Sequence, residues 1–237
     1  MIQLSNITFG YRKKQILFDN LNLTLEFGKI YGLFGVNGAG KTTLLKQLSG
    51  LLKPTEGKIT INGLHVGTRD ANALETVFLV PEEFELPPIS TRRFIELNAP
   101  FYKGFDHSLF ETSMVEFELG LDENLAAMSY GQKKKFLVSF GLATQTPLLL
   151  LDEPTNDIDI NTLRALEEGL DNFAGCAVVI SHDRWFLDRI CTHILSFEGN
   201  SDVFYFEGSY SEYEENKRQR LGDEAPKRVR YRKLIAD

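Results

Sequence analysis

A chain of 237 residues, 43% hydrophobic and 25% charged, has ordinary globular composition, with length for one large α/β domain or for a core with a subdomain. Its net charge of -7 argues against nucleic-acid binding through the general surface and leaves that role only to a local basic patch. Cys176 and Cys191 lie far apart in no CxxC pattern, which reads as two reduced, buried thiols rather than a disulfide or zinc site.

No apolar run approaches the ~18 residues of a membrane span. The start, MIQLSNITFGY, alternates apolar and polar residues and has no signal-peptide core. A soluble chain is expected, so any membrane crossing falls to another protein. Ile2 to Phe9 and Leu21 to Phe27 read as strands, and Ile30 to Phe34 as a buried strand running into a glycine loop. Thr42 to Leu52 has helical spacing. Ile59 to Ile61 and Val77 to Val80 are further strands, the second stopped by Pro81.

From Glu82 to about Leu142, prolines and aromatics mix with short helical patterns, which predicts a mostly helical insertion. Leu148 to Leu151 is a run of leucines, a buried parallel strand. Leu163 to Phe173 is helical, Ala177 to Ile180 a strand, Trp185 to Ile190 helical, and His193 to Phe197 and Val203 to Phe206 are closing strands. The alternation predicts a mainly parallel sheet covered on both faces. From Tyr210 the chain turns polar, and Lys217 to Lys233 holds eight Lys and Arg against two acids. A frayed, solvated helix and tail and a contact for an acidic partner both fit that stretch.

Gly35-Val36-Asn37-Gly38-Ala39-Gly40-Lys41-Thr42 matches G-x-x-x-x-G-K-[ST] between a strand and a helix. Such a loop aims backbone N–H groups at one anion, and the helix start adds partial positive charge. Lys41 is expected to reach the β- and γ-phosphates of a nucleotide, and Thr42 to ligate Mg²⁺. Asp152-Glu153 leaves the leucine strand at the sheet edge where ligands of open α/β sheets bind. Asp152 is the candidate metal-side acid and Glu153 the candidate base for an attacking water. His182 follows the next strand at the same edge and is a candidate γ-phosphate contact. His65, His107 and His193 read as surface or structural residues.

These motifs together resemble the nucleotide-binding domain of the ATP-binding cassette (ABC) family. Met128-Ser129-Tyr130-Gly131-Gln132 is similar to its LSGGQ signature, with Tyr130 in place of a glycine. The resemblance implies a P-loop NTPase cassette with a mainly parallel core sheet, an N-terminal antiparallel β region and an inserted helical subdomain. It implies ATP and Mg²⁺ as ligands, with Gly35, Asn37, Gly38, Ala39, Gly40, Lys41, Thr42 and Thr43 around the phosphates and Tyr11 stacked on adenine. Ser129, Gly131 and Gln132 would serve the ATP of a second domain. Asp159, closing Asn156-Asp157-Ile158-Asp159, would help assemble the pair. Glu82 stands where the family has a glutamine that ligates Mg²⁺. A carboxylate there can bind metal but adds negative charge beside a triphosphate, so Glu82 reads as a hinge to the insertion more than as a metal ligand. Lys133 to Lys135 read as surface charge or as an aid to the signature's anion grip.

The implied layout is one cassette over 1–237: a core lobe of 1–82 and 143–209, a helical subdomain of about 83–142 and a basic tail of about 210–237. Residues 1–157, with PEEFELPP and SYGQKKK, resemble ATPase subunits of ABC-2-type exporters. From 159 onward, ISHDRWFLDRICTHIL and FEGSYSEYEENKRQRLG resemble the C-terminal end of the ribosome-binding ABC-F proteins, as a recombined chain would. A single cassette in these residues, without the charged linker of ABC-F proteins, points to an exporter ATPase. It would be cytoplasmic, at the inner face of the cell membrane, with a second nucleotide-binding domain and a permease as partners. The alternative is a ribosome-associated ATPase regulating translation.

Overall fold

The computed structural model describes residues 1–12, 16–68, 70–156, 158–199 and 201–221. The cassette fold is present, built on two sheets. The first is antiparallel and uses β1 (Ile2–Phe9), β2 (Phe18–Leu25), β4 (Glu56–Ile61) and β5 (Leu64–His65), in the order β2-β1-β4-β5. The second uses β3 (Ile30–Gly35), β6 (Val77–Val80), β7 (Leu148–Asp152), β8 (Cys176–Ile180), β9 (His193–Gly199) and β10 (Asp202–Glu207). Its order is β10-β9-β3-β8-β7-β6, parallel throughout except for the antiparallel β9–β10 pair.

The leucine run shows how this sheet is held. Successive side chains of a strand point to opposite faces. Leu148 and Leu150 therefore join the core shared with the antiparallel sheet, where Ile2, Phe18, Leu33 and Leu44 also lie. Leu149 and Leu151 enter the core on the helical side, with Phe136, Phe140 and Leu166. All four leucines are fully buried, and each such burial stabilises the fold by about 1.5–3 kcal/mol. A strand apolar on both faces has to lie inside a covered sheet.

Helix α1 (Lys41–Leu48) sits in the first core through Leu44, Leu45 and Leu48. α2 (Ala71–Leu74) is a single turn capped by Asp70. The predicted insertion contains α3 (Thr91–Asn98), α4 (His107–Glu116) and α5 (Tyr130–Ala143), packed through rings of Phe94, Phe110, Phe136 and Phe140. α6 (Ile160–Asp171) and α7 (Arg184–Ile190) link the last parallel strands.

Two expectations change in detail. β2 starts at Phe18, because that ring is fully buried and packs 6.3 Å from Phe197. Residues 210–221, expected to form a frayed, solvated helix, form α8 (Tyr210–Leu221), which is anchored in the core. Its Tyr210 and Tyr213 are buried against Phe34, and the Tyr213 hydroxyl meets Ser196 Oγ at 2.5 Å. The rest of the basic stretch, 222–237, and Asp157 lie outside the described residues. Cys176 and Cys191 are free and buried, and burial pushes both thiols well above their ordinary range. His193 is structural: it is buried between Tyr31 and Tyr205, with Nδ1 2.8 Å from the Thr192 hydroxyl.

Candidate active site

The loop between β3 and α1 closes over its own lysine. Lys41 Nζ donates to the carbonyls of Gly35 at 2.7 Å and Val36 at 3.2 Å, and the residue is only 9% exposed. Gly40 is the N-cap of α1 with φ of 110°, a backbone that a side chain would strain, and no side chain caps the helix. The first N–H groups of α1 are therefore left for a ligand. Burial pulls the Lys41 pKa down, while Glu153 and Asp152 oppose that pull.

Those carboxylates arrive from β7. Asp152 and Glu153 are each 4% exposed. Desolvation, with help from Glu82 and Glu153, pushes Asp152 up to about 6, while the Thr42 hydroxyl and Lys134 favour its charged form. Glu153 has φ of 49°, in the left-handed region that side chains disfavour by about 1–2 kcal/mol. Three contacts hold it there. Its N–H donates to the Ile180 carbonyl at 2.9 Å, the His182 N–H donates to its Oε2 at 3.1 Å, and His182 Nε2 lies 3.4 Å from its Oε1. The His182 side chain remains two-thirds exposed, turned to the open side of the site.

These groups line one cleft of about 490 Å³. It brings together Tyr11, Asn37, Gly38, Gly40, Lys41, Thr42, Thr43, Glu82, Asp152, Glu153 and His182. Tyr11 is 63% exposed, edge-on to Phe9, and its hydroxyl lies 3.2 Å from that of Thr43. Gly35 and Ala39 shape the loop from behind, Gly35 through its carbonyl and Ala39 against the core. Leu17 and Ile180 also line the cleft, and apolar strand-end residues carry no motif that would single them out.

Ser129, Gly131, Gln132 and Asp159 do not line it. Ser129 is the N-cap of α5. Its Oγ accepts from the Gln132 N–H at 3.2 Å, and Gln132 Oε1 accepts from the Ser129 N–H at 2.9 Å. The serine proton is still available to an anion. Asp159 lies outside the cleft lining, where its carboxylate caps α6 through Asn161 and Thr162 and pairs with Lys135 at 2.8 Å. Those bonds hold its pKa well below the carboxylate range.

Mg²⁺ suits the donors present. Asp152 Oδ1 is buried with no hydrogen-bond partner among the described residues, and the Thr42 hydroxyl and Glu82 share the cleft. Oxygen donors of this kind fit a hard cation. No group of three or more His, Cys, Asp or Glu side chains among the described residues forms a metal cage. A cation here would complete its coordination with phosphate and water.

The profile of the ABC transporter family matches residues 18–156, more than half of the chain. This chain belongs to the ABC transporter family. The energy-dependent translational throttle protein EttA of Escherichia coli K12 is 37% identical over 245 residues, covering 99% of this chain and 42% of EttA. EttA of Mycobacterium tuberculosis H37Rv is 38% identical over 252 residues, with the same coverage. The Bacillus subtilis protein YfmR, described as an uncharacterized ABC transporter ATP-binding protein, is 33% identical over 96% of this chain and 35% of its own. The chain thus spans about 42% of the throttle proteins' length. Their aligned stretch covers both parts into which the sequence motifs divide the chain.

Among solved structures, the ATP-binding subunit of an ABC transporter superposes with a TM-score of 0.81 at 23% identity, over 94% of this chain and 93% of that one. An ATP-bound Atm1-family exporter gives 0.73 at 20% identity, over 91% of this chain and 42% of that one. At such identities the likeness establishes the ABC cassette fold.

Proposed function

We propose that this cassette binds ATP with Mg²⁺ in the cleft and hydrolyses it as half of a head-to-tail pair. The separation of the two half-sites carries the reading. Lys41, Asp152, Glu153 and His182 line the cleft, whereas Ser129 and Gly131 open α5 outside it. ATP then lies between Lys41, Thr42, Asp152, Glu153 and His182 of one cassette and Ser129 and Gly131 of another, whether or not the two are identical. Mg²⁺ held by Thr42 and Asp152, with Glu82 beside them, supplies charge neutralisation at the phosphates. Lys41 orients the β- and γ-phosphates. Glu153 accepts the proton of the attacking water, and His182 keeps Glu153 in position while reaching the γ-phosphate. Closure excludes other water, and reopening after hydrolysis moves whatever partner distinguishes the two states.

The test is the solution mass of Glu153→Gln with and without ATP. ATP should double it. A variant that stays at single-chain mass in saturating ATP overturns pairing between two copies of this chain.

Two loads are argued, each on one observation. An exporter permease, with the cassette on the cytoplasmic face of the membrane, is supported by an apolar hollow of about 470 Å³ lined by Leu51, Leu74, Phe78, Phe101 and Tyr102. Leu51, Leu74 and Phe101 are more than half exposed, a patch suited to a helix of a protein partner. The ribosome, with a role in regulating translation, is supported by the 37% identity to EttA over 99% of this chain. Recovery of a permease from detergent extracts decides for the first. ATP-dependent sedimentation with ribosomes decides for the second.

A further inference from the structure

The three lysines of SYGQKKK follow one another on a helix, so they point about 100° apart. Lys134 and Lys135 do not belong to a solvated face. Lys135 turns to Asp159, and Lys134 is 1% exposed. A buried ammonium is costly unless hydrogen-bonded. Lys134 Nζ donates to three backbone carbonyls, those of Pro81 at 2.9 Å, Glu82 at 3.2 Å and Asp152 at 3.1 Å. Pro81 and Glu82 directly follow β6, and Asp152 ends β7. The lysine thus ties α5 to the two strand ends that carry the metal-side acids.

One helical turn earlier, the Tyr130 hydroxyl donates to the same Glu82 carbonyl. Its ring stacks on Phe84 at 5.1 Å, and Lys134 Nζ lies 5.6 Å from the centre of that Phe84 ring. Residues 82–84 are therefore gripped at two points by the helix that begins at the signature. Glu82 itself lines the cleft with Asp152.

We propose that Lys134 and Tyr130 form a clamp by which the signature helix positions Glu82 on the metal side of its own chain's ATP site. The inference rests on the reading of Glu82 as a metal-side acid. Lys134 is argued as a positioning residue, since it donates to three backbone carbonyls at the strand ends. The clamp also joins the half-site that serves one ATP to the metal side of another. Positioning and bare charge predict opposite signs for its removal. A cation near the site repels Mg²⁺, so charge alone would make its loss strengthen metal-dependent binding. Loss of the clamp should weaken it.

The experiment is titration calorimetry of the non-hydrolysed ATP analogue adenylyl-imidodiphosphate, with Mg²⁺ and with EDTA. Lys134→Met should cut the Mg²⁺-dependent gain in affinity by about tenfold, the usual loss when the support of a metal ligand is removed. Binding in EDTA should change by less than about twofold. Tyr130→Phe keeps the ring and should shift the Mg²⁺ gain in the same direction by a smaller factor; it decides the matter if Lys134→Met does not fold. In a Glu82→Ala background, Lys134→Met should bring no further loss. Tighter Mg²⁺-dependent binding in Lys134→Met, equal losses with and without Mg²⁺, or additive losses in the double variant each overturn the clamp. If Glu82→Ala weakens the Mg²⁺ gain and Lys134→Met does not, the clamp fails and the role of Glu82 stands. If Glu82→Ala changes nothing, the role of Glu82 fails and the clamp with it.

Discussion

The cleft and the start of α5 both present a helix start with backbone N–H groups, yet they are built differently. The cleft draws charged side chains from the ends of β3, β6, β7 and β8 and buries most of them, with Lys41, Asp152 and Glu153 all under 10% exposed. The start of α5 is an exposed helix end with one serine, a glycine and a self-contained capping box. The first site has desolvated charges, among them Asp152, whose Oδ1 has no hydrogen-bond partner among the described residues. The second is satisfied as it stands and adds only directed N–H groups and a hydroxyl. A site with strained and unmatched groups is poised for chemistry, whereas a relaxed one is suited to capping what another chain presents.

Substitutions can break or sharpen this contrast. The largest effect is expected from Glu153→Gln, which should slow hydrolysis by about two orders of magnitude or more while leaving nucleotide binding intact. Normal turnover in that variant would remove the base from the cleft. Ser129→Arg should lower turnover by roughly ten- to a hundredfold through the missing hydroxyl and the blocked helix end. Its single-chain affinity for ATP should stay unchanged, and an equal loss of affinity would assign α5 to the same nucleotide. Tyr11→Ala should weaken ATP binding by about 1–2 kcal/mol if its exposed ring carries the base, with less effect on inorganic triphosphate. Equal losses for both ligands would confine Tyr11 to its Thr43 contact.

The smallest effect concerns stability. Asp152 holds its proton up to about pH 6 in the folded chain, against about 3.8 when unfolded. The folded state therefore binds more protons between those values, and stability falls as pH rises through that window. Asp152→Asn should raise the unfolding free energy of nucleotide-free protein by about 1–2 kcal/mol at pH 7, with the gain fading toward pH 4. A gain independent of pH would mean that desolvated charge is not what distinguishes the cleft.

The cleft is legible in sequence because its parts are local. Gly35 to Thr42 specify a loop by spacing alone, and the leucine run ending in Asp152-Glu153 specifies a covered strand with acids at its end. The face-by-face division of Leu148 to Leu151 between two cores follows from strand periodicity. What is not legible depends on distant partners. Lys134 looks solvated because a charge run hides the rotation between successive helical positions, and its three carbonyls lie about fifty residues before and eighteen after. Phe18 belongs to a strand because Phe197 covers it. Tyr210 and Tyr213 are core residues inside a polar segment, identified only by Phe34 and Ser196. Asp159 ends a motif that suggests a role between two cassettes, and only the structure shows the nearby N–H groups and Lys135 that take up its oxygens.

The left-handed backbone at Glu153 sets activity against robustness at a single position. A glycine there would adopt the same conformation without steric penalty, and would free the folded chain of a buried acid. Heat tolerance selected without regard to turnover should therefore discard this glutamate early.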